Sequence, residues 1–532
     1  MTKNLKKTPS LTTLSRSLIA TFSTTLLAAC FTVILSPGMS PDKVAIGACL
    51  LFIALLGIGR GALWHNPGRW FWILIGLSLL SAPFIVIAQG FGSVDMMAFL
   101  FHLEFGVEGA GLEELHNEIL TAILALTWIV FATYALSKAL DWLALPYVTV
   151  GALLVLSHPM LLYALTAARA ANIESDLAKR LVSAPTWNKQ SPDADLVVLY
   201  LEGLEAAYFD PFYLSDGLAP FTAIRDDGLR FTGVRQIEAT GWSMAGVVAT
   251  QCGVPLIPNG FRARNNFHGV KDFLGKHRCL GDILKQAGYQ LEFLQGGDLD
   301  FAGYGTFLRQ HGFDKVIGIE HFQANYPKEL IEKARIDWIV DDQLLFTEAL
   351  KRHRALLQNS APYGLFIETI TTHGDIAYAS RECTPDGQAR QVSNVPLVLE
   401  CVGRQLTKLV KSLRDQAGSR PMRLVILSDH LSHSKRIRGD LPLAERANTV
   451  ALIDWQSKGS KVVNKEGSMI DVYPTLLDWL ELASDTGRTR AGLGVSLLSS
   501  NPTLVEEKGL EALNKELYIN PALSRKIWRD GP

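Results

Sequence analysis

Scarcity narrows the options first. The 532 residues carry 51 Lys and Arg against 52 Asp and Glu, so the chain lacks the basic surplus that nucleic-acid binding needs. It has six cysteines, and no two stand in CxxC spacing, which argues against a cysteine metal site. There are no internal repeats and no low-complexity tracts. The stretch 90–118 has no Lys or Arg, although it carries Asp95, Glu104, Glu108, Glu113, Glu114 and Glu118.

Apolar residues are abundant but unevenly spread. Mean hydropathy is +0.17, high for a soluble enzyme and low for a pure transporter. The excess falls in five spans, at 17–36, 44–59, 70–89, 119–137 and 146–166, each near the ~20 residues that cross a bilayer. His158 and Pro159 interrupt the last. Lys3, Lys6, Lys7, Arg16, Arg60, Arg69 and Lys138 flank the spans on one side and the acidic loop lies on the other, so the positive-inside rule puts the N-terminus in the cytoplasm. Five spans then leave everything after about 168 outside. A cleaved signal peptide is the alternative for the first span, but four more spans follow and no small-residue cleavage site stands out. The acidic loop reads as solvated surface. Phe99, Leu100, Phe101, Leu103 and Phe105 also allow an interfacial segment.

Residues 1–168 thus read as a transmembrane domain and 169–193 as an amphipathic linker. Residues 194–500 form an outer domain large enough for one core, and 501–532 a C-terminal tail. In the outer domain, apolar β-branched runs at 195–202, 291–297, 363–374, 423–430 and 448–455 alternate with periodic stretches such as 397–416 and 470–482. That alternation predicts an α/β fold with a mostly parallel central sheet covered on both faces. In such sheets the site lies beyond the carboxyl ends of the strands, where Glu202, His373, Asp429 and His430 stand. Cys30 and Cys49 fall inside spans. The other four cysteines allow three disulfide pairings, of which Cys252–Cys279 and Cys383–Cys401 close the shortest loops.

Glu202 closes a buried strand, the place of a metal ligand or of a hydrogen-bonded loop residue. Glu205 reads as an exposed helix-start residue. Thr240, before a small-residue run, reads as a helix N-cap, and a hydroxyl there also sits where backbone N–H groups favour a phosphate. Ser243 is the second candidate nucleophile. "LSDHLSH" (427–433) supplies Asp429 and His430, a donor set suited to Mn²⁺, Mg²⁺ or Zn²⁺. His433 stands either behind the metal or exposed. "TTHGD" (371–375) supplies His373, a general acid, a phosphate donor or a structural loop histidine.

Taken in order, strand–Glu, a Thr turn about 40 residues on, strand–His and strand–Asp-His resemble the alkaline phosphatase/sulfatase superfamily. The apolar N-terminal half resembles its membrane-bound transferases, such as lipoteichoic acid synthases and phosphoethanolamine transferases. "YLEGLEAAYFD", "TGWSMAGVVATQCGVPL", "CLGDILKQAGY", "DFAGYGTFLRQHGFD", "SDHL" and "GLGVSLLSS" are similar above all to the phosphoglycerol transferases of osmoregulated periplasmic glucans; the membrane half adds its layout and "GVEGAGLEEL". The resemblance implies a sulfatase-like domain with Glu202, Thr240, Asp429 and His430 as metal ligands, Thr240 as nucleophile and His373 on the substrate side. It implies a divalent cation, Mn²⁺ before Mg²⁺ or Zn²⁺, phosphatidylglycerol as donor, periplasmic glucan as acceptor, and an inner-membrane location. One stretch departs: where lipoteichoic acid synthases hold phosphate with His, Trp and Arg, this chain has "LQGGDLDFAG" (294–303). No CxPSR-like turn supplies a formylglycine, which argues against sulfate-ester hydrolysis. Two alternatives remain: a phosphoethanolamine transferase acting on glucan or lipid A, and an inactive membrane-anchored glycan-binding protein.

Overall fold

The computed structural model describes residues 68–532 apart from 92–95, 97–98, 101–115, 140–144, 171–174, 185–193, 211–217, 258–271, 337, 374–376, 393–394, 434–444, 458, 484–488 and 519. The expected spans 17–36 and 44–59, Cys30, Cys49 and nearly all of the acidic loop lie outside these residues. The chain divides into two compact units, Met1–Val94 with Leu112–Thr166, and Asp95–Gly111 with Ala167–Pro532.

The first unit is helical: α1 (Arg69–Phe91), α2 (His116–Ala139), α3 (Leu145–Leu156) and α4 (Pro159–Ala170). Within α1, Arg69–Ala88 is long and apolar enough to cross a membrane, and only 22% of it is buried. A soluble core helix would bury most of such a stretch; here Trp72, Leu79 and Leu80 face outward. Hydroxyls in these helices are met locally, Ser81 donating to the Leu77 carbonyl and Thr133 to that of Ile129. The fifth expected span is helical on both sides of His158–Pro159 and bent there by 52°, because proline has no N–H and disfavours helix in the residue before it. The fourth is a helix whose apolar part is the shorter stretch Glu118–Val130. One helix, or two if the bent pair counts as one span, therefore passes the test among the described residues.

The second unit is built on eight strands: β1 (Asp195–Leu201), β2 (Leu229–Arg235), β3 (Gln290–Gln295), β4 (Lys315–Ile317), β5 (Tyr363–Glu368), β6 (Met422–Ser428), β7 (Val450–Asp454) and β8 (Lys461–Ser468). Their order is β8-β2-β7-β6-β1-β5-β3-β4. All neighbours run parallel except those of β7, which is antiparallel to β2 and to β6. The sheet is therefore mixed, with one reversed strand in the run expected to be parallel.

Every residue of β1 is buried, because helices cover both faces. Val197, Leu199 and Leu201 share a core with α6 (Asp342–Leu356) and α7 (Val395–Ala417), where Leu399, Val402, Leu406, Leu409, Val410 and Leu413 recur at helical spacing. From the other face, the Tyr200 hydroxyl meets Thr250 (2.9 Å) and Gln251 (3.0 Å) of α5 (Ser243–Cys252).

Both favoured disulfides are present. Cys252–Cys279 ties the far end of α5 to the start of Leu280–Gln286, and Cys383–Cys401 ties a short turn to α7. Closing loops of 27 and 18 residues is worth about 3 kcal/mol each. The linker contributes the helix Leu177–Arg180, whose Leu177 is fully buried. The expected tail is folded: Thr503 caps Leu504–Lys508, Leu513, Leu517, Leu523 and Ile527 are buried, and Trp528 Nε1 donates to the Ile257 carbonyl at 2.6 Å.

Candidate active site

Strand register assembles the site. Leu201 of β1 pairs with Ser428 of β6, so the next residues, Glu202 and Asp429, emerge side by side. On the other flank Tyr200 pairs with Glu368 of β5, and Glu368 with Gln295 of β3. One carboxyl edge thus presents Gln295, Glu368, Glu202 and Asp429. Helix α5 starts over this edge. Gly246 permits the approach, since a Cβ there would lie 1.9 Å from the Asp429 carbonyl oxygen.

Glu202, Asp429 and His430 converge, with potential ligand atoms within 4.8 Å of one another. His430 Nε2 lies 3.1 Å from Glu202 Oε1 and 3.3 Å from Asp429 Oδ2. Those two carboxylate oxygens are buried, and neither contact has hydrogen-bond geometry. Asp429 Oδ1 is already held by the N–H groups of Gly203 and His430, each at 2.8 Å. His430 Nδ1 faces the Leu431 carbonyl at 2.8 Å. An Nδ1–H bonded to a backbone carbonyl fixes the ring as in histidines that bind metal through Nε2, and a cation bound between the carboxylates would replace the Nε2 proton. Two carboxylates and an imidazole with unmet lone pairs fit a divalent cation.

The charges agree. Burial opposes ionisation throughout, but His430 and then His373 outweigh it at Glu202 and pull its carboxyl down to about 2. At Asp429, burial and the Glu202 charge raise the carboxyl to about 7. Burial works against a charged His430, yet Asp429 and Glu202 raise it to about 10. Two buried acids compete for one cation.

The hydroxyl in this cluster is Ser243, not Thr240. Ser243 Oγ donates to Glu202 Oε2 at 3.0 Å and lies 3.5 Å from His430 Nε2. It is the first residue of α5, with Trp242 at the N-cap, so unmet N–H groups of the first turn lie beside it. Thr240, expected as ligand and nucleophile, is fully buried; its hydroxyl donates to the Ile237 carbonyl at 2.8 Å and accepts from the Ile237 N–H at 3.2 Å. That turn, with Ala239 at φ 60°, holds it out of the cluster. Both Thr240 hydroxyl contacts are thus to the Ile237 backbone rather than to Glu202, Asp429 or His430.

His373 is half-buried five residues beyond β5, close enough for its charge to act on Glu202, with its ring 5.9 Å from Tyr378. The His433 ring is 4.6 Å from that of His430. Glu205 is not exposed: at 0% exposure it accepts from Arg446 Nε at 2.9 Å and from the Ser432 N–H at 2.9 Å. It pins the 429–433 segment to the end of β1. The sequence reading also passed over Glu368, whose Oε1 accepts from the Tyr304 hydroxyl at 2.7 Å. Burial, with Asp429 next, raises Glu368 well above the carboxyl range. Glu368 closes a buried strand just as Glu202 does, but the run 363–374 continues past it and hides the strand end.

A hydroxyl-bearing helix start thus stands above two carboxylates and a histidine, at the carboxyl edge of a mostly parallel sheet. The chain belongs to the sulfatase family, whose model matches residues 202–482. It is 30% identical over 350 residues to a phosphoglycerol transferase I of Escherichia coli, a match spanning 65% of this chain and 44% of the relative. Less than half of that relative's length is therefore represented. Among solved structures, it is similar to the lipoteichoic acid synthase LtaP of Listeria monocytogenes (13% identity, 63% of this chain and 81% of that one, TM-score 0.45). It is also similar to the Streptococcus pyogenes phosphoglycerol transferase GacH in complex with sn-glycerol-1-phosphate (14% identity, 69% and 92%, TM-score 0.41).

Proposed function

We propose that this chain is a membrane-bound phosphoglycerol transferase. It moves sn-glycerol-1-phosphate from phosphatidylglycerol to periplasmic glucan through a covalent intermediate on Ser243. The observation that carries the reading is the Ser243 hydroxyl hydrogen-bonded into a buried cluster with unmet ligand atoms. The 30% identity to a phosphoglycerol transferase I supports the donor class.

Glu202, Asp429, His430 and the Ser243 oxygen would hold the cation. Two carboxylates, an imidazole and a hydroxyl suit Mn²⁺, with Mg²⁺ or Zn²⁺ also compatible. Such an ion lowers the pKa of a bound hydroxyl and offsets charge on the phosphoryl oxygens. The protein's own groups do the rest. Glu202 aligns the Ser243 hydroxyl and accepts its proton as Ser243 Oγ attacks phosphorus; the bond to the diacylglycerol oxygen breaks, and that oxygen leaves with a proton from the substrate side, where His373 stands. The first-turn N–H groups of α5 face the phosphoryl oxygens. A glucan hydroxyl then attacks phosphorus and releases Ser243 Oγ, with His373 placed to serve on the substrate side.

The membrane reading is five spans within 1–168, N-terminus in the cytoplasm, with the catalytic domain from about 194 in the periplasm. The charge pattern of the loops supports it, as do two disulfides in the catalytic unit, since these persist in oxidising compartments. An intact ligand cluster argues against an inactive glycan-binding protein. The test is an assay of the purified protein with radiolabelled phosphatidylglycerol and glucan. Label should appear in the glucan with equimolar diacylglycerol. Transfer from phosphatidylethanolamine but not phosphatidylglycerol would overturn the donor assignment.

A further inference from the structure

Beside Ser243 the cleft has a second polar corner that the transfer step does not use. Gln295 and Glu368 are register partners at the ends of β3 and β5, and both line the cleft with Glu202 and Ser243. Glu368 is 4% exposed; one of its oxygens is met by Tyr304, while Oε2 has no hydrogen-bond partner. Gln295 Nε2 is likewise shielded from solvent and without a partner. A buried polar atom left unmet is costly, and here an unmet carboxyl oxygen and an unmet amide N–H stand on adjacent strand ends. Phe301 and Trp338 line the same cleft, ring centres 5.9 Å apart. The Gly296–Gly297 turn lets this wall close in: a Cβ on Gly297 would lie 2.8 Å from the Trp338 ring, and one on Gly296 2.5 Å from the Val340 carbonyl oxygen.

We infer that Gln295 and Glu368 form a polyol subsite. One hydroxyl of the ligand pairs with Glu368 Oε2, the same or a neighbouring hydroxyl accepts from Gln295 Nε2, and the ligand's C–H face lies against Trp338 and Phe301. A hydroxyl can donate or accept, so it satisfies the pair whether Glu368 is ionised or carries its proton on Oε2. An ammonium would meet Glu368 and leave Gln295 unmet. A further anion would meet Gln295 and confront the charged Glu202, which lines the same cleft. The inference rests on the transferase reading and deepens it, since hydroxyls come either from the glycerol headgroup or from a sugar of the glucan.

The experiment uses the full chain in proteoliposomes and compares wild type with Gln295→Leu, Glu368→Leu and Glu368→Gln. Diacylglycerol release without glucan and glycerophosphate transfer to glucan are followed separately. Gln295→Leu and Glu368→Leu should raise one KM tenfold or more while kcat changes less, and Glu368→Gln, which keeps an acceptor oxygen, should recover most of the loss. A defect already present without glucan assigns the hydroxyls to glycerol; a defect only in transfer assigns them to the sugar. Unchanged KM values for both substrates in Gln295→Leu would overturn the subsite, and that variant alone decides if Glu368→Leu does not fold. A wild-type protein that releases no diacylglycerol defeats the transferase reading instead. Saturation-transfer NMR with sn-glycerol 1-phosphate and glucan oligosaccharide then decides the subsite, which falls if neither binds wild type more strongly than Gln295→Leu.

Discussion

Glu202 and Glu205 leave the same turn after β1, three residues apart, and both are at most 1% exposed. Their surroundings differ in kind. Glu205 has an Arg446 guanidinium and a backbone N–H on its oxygens. Glu202 keeps an oxygen with no hydrogen bond, next to a second carboxylate and a ring nitrogen. Burial alone separates neither structure from chemistry; satisfaction does. A saturated buried carboxylate holds the fold, and an unmet one beside other unmet ligands awaits something the polypeptide does not supply.

The comparison breaks if the two glutamates respond alike to mutation. The largest effects belong to the unmet side. Ser243→Ala should lower kcat by about 10³-fold or more, while Thr240→Ala keeps most activity in the same diacylglycerol-release assay. Asp429→Asn should also abolish turnover, yet in metal-free protein leave urea-unfolding stability within ~1 kcal/mol or raise it, because a like-charge pair is relieved. Glu205→Gln should do the reverse. It strands Arg446, which is 4% exposed, and should cost about 3–5 kcal/mol in the same titration.

Metal sharpens the contrast. Chelation should remove activity reversibly and lower the melting temperature of wild type, since an ion that binds only the folded state stabilises it. The shift should vanish in Asp429→Asn. Equal shifts in both proteins would place the ion elsewhere.

The smallest effect lies far from the site. Burial pulls His277 down to about 4, and its Nε2 pairs with the Ile527 carbonyl at 2.8 Å. The folded pKa lies below the unfolded value near 6.5, so the stability it carries is present above pH ~6.5 and lost as pH falls toward 4, by at most about 3 kcal/mol. Hydrogen exchange over 521–530 should quicken across that window and stay flat in His277→Gln.

Much of this was legible in the sequence, for reasons that also explain what was not. Strands β1, β3, β5, β6 and β7 announce themselves as apolar runs because both faces are covered. β8 ("KVVNKEGS") and β4 sit at the sheet edges, where exposure removes that signal, and β2 has polar or half-buried residues among its apolar ones. The reversal of β7 is a matter of pairing, which apolar runs do not encode. Asp429 and His430 were readable because they follow a strand directly. Ser243 stands second to Thr240 in the sequence because the expected N-cap at 240 lies two residues before the observed one, Trp242, and a capping argument is only as good as that boundary. Glu205 was misread because its partner, Arg446, lies 241 residues away.

The central claim is that Ser243 carries the transferred group. The purified protein is incubated with phosphatidylglycerol without acceptor, quenched in acid, digested and mapped by tandem mass spectrometry. A glycerophosphate adduct on Ser243, absent from Ser243→Ala and from chelated wild type, is the predicted result. The same adduct on Thr240, with Ser243 unmodified, would contradict the account.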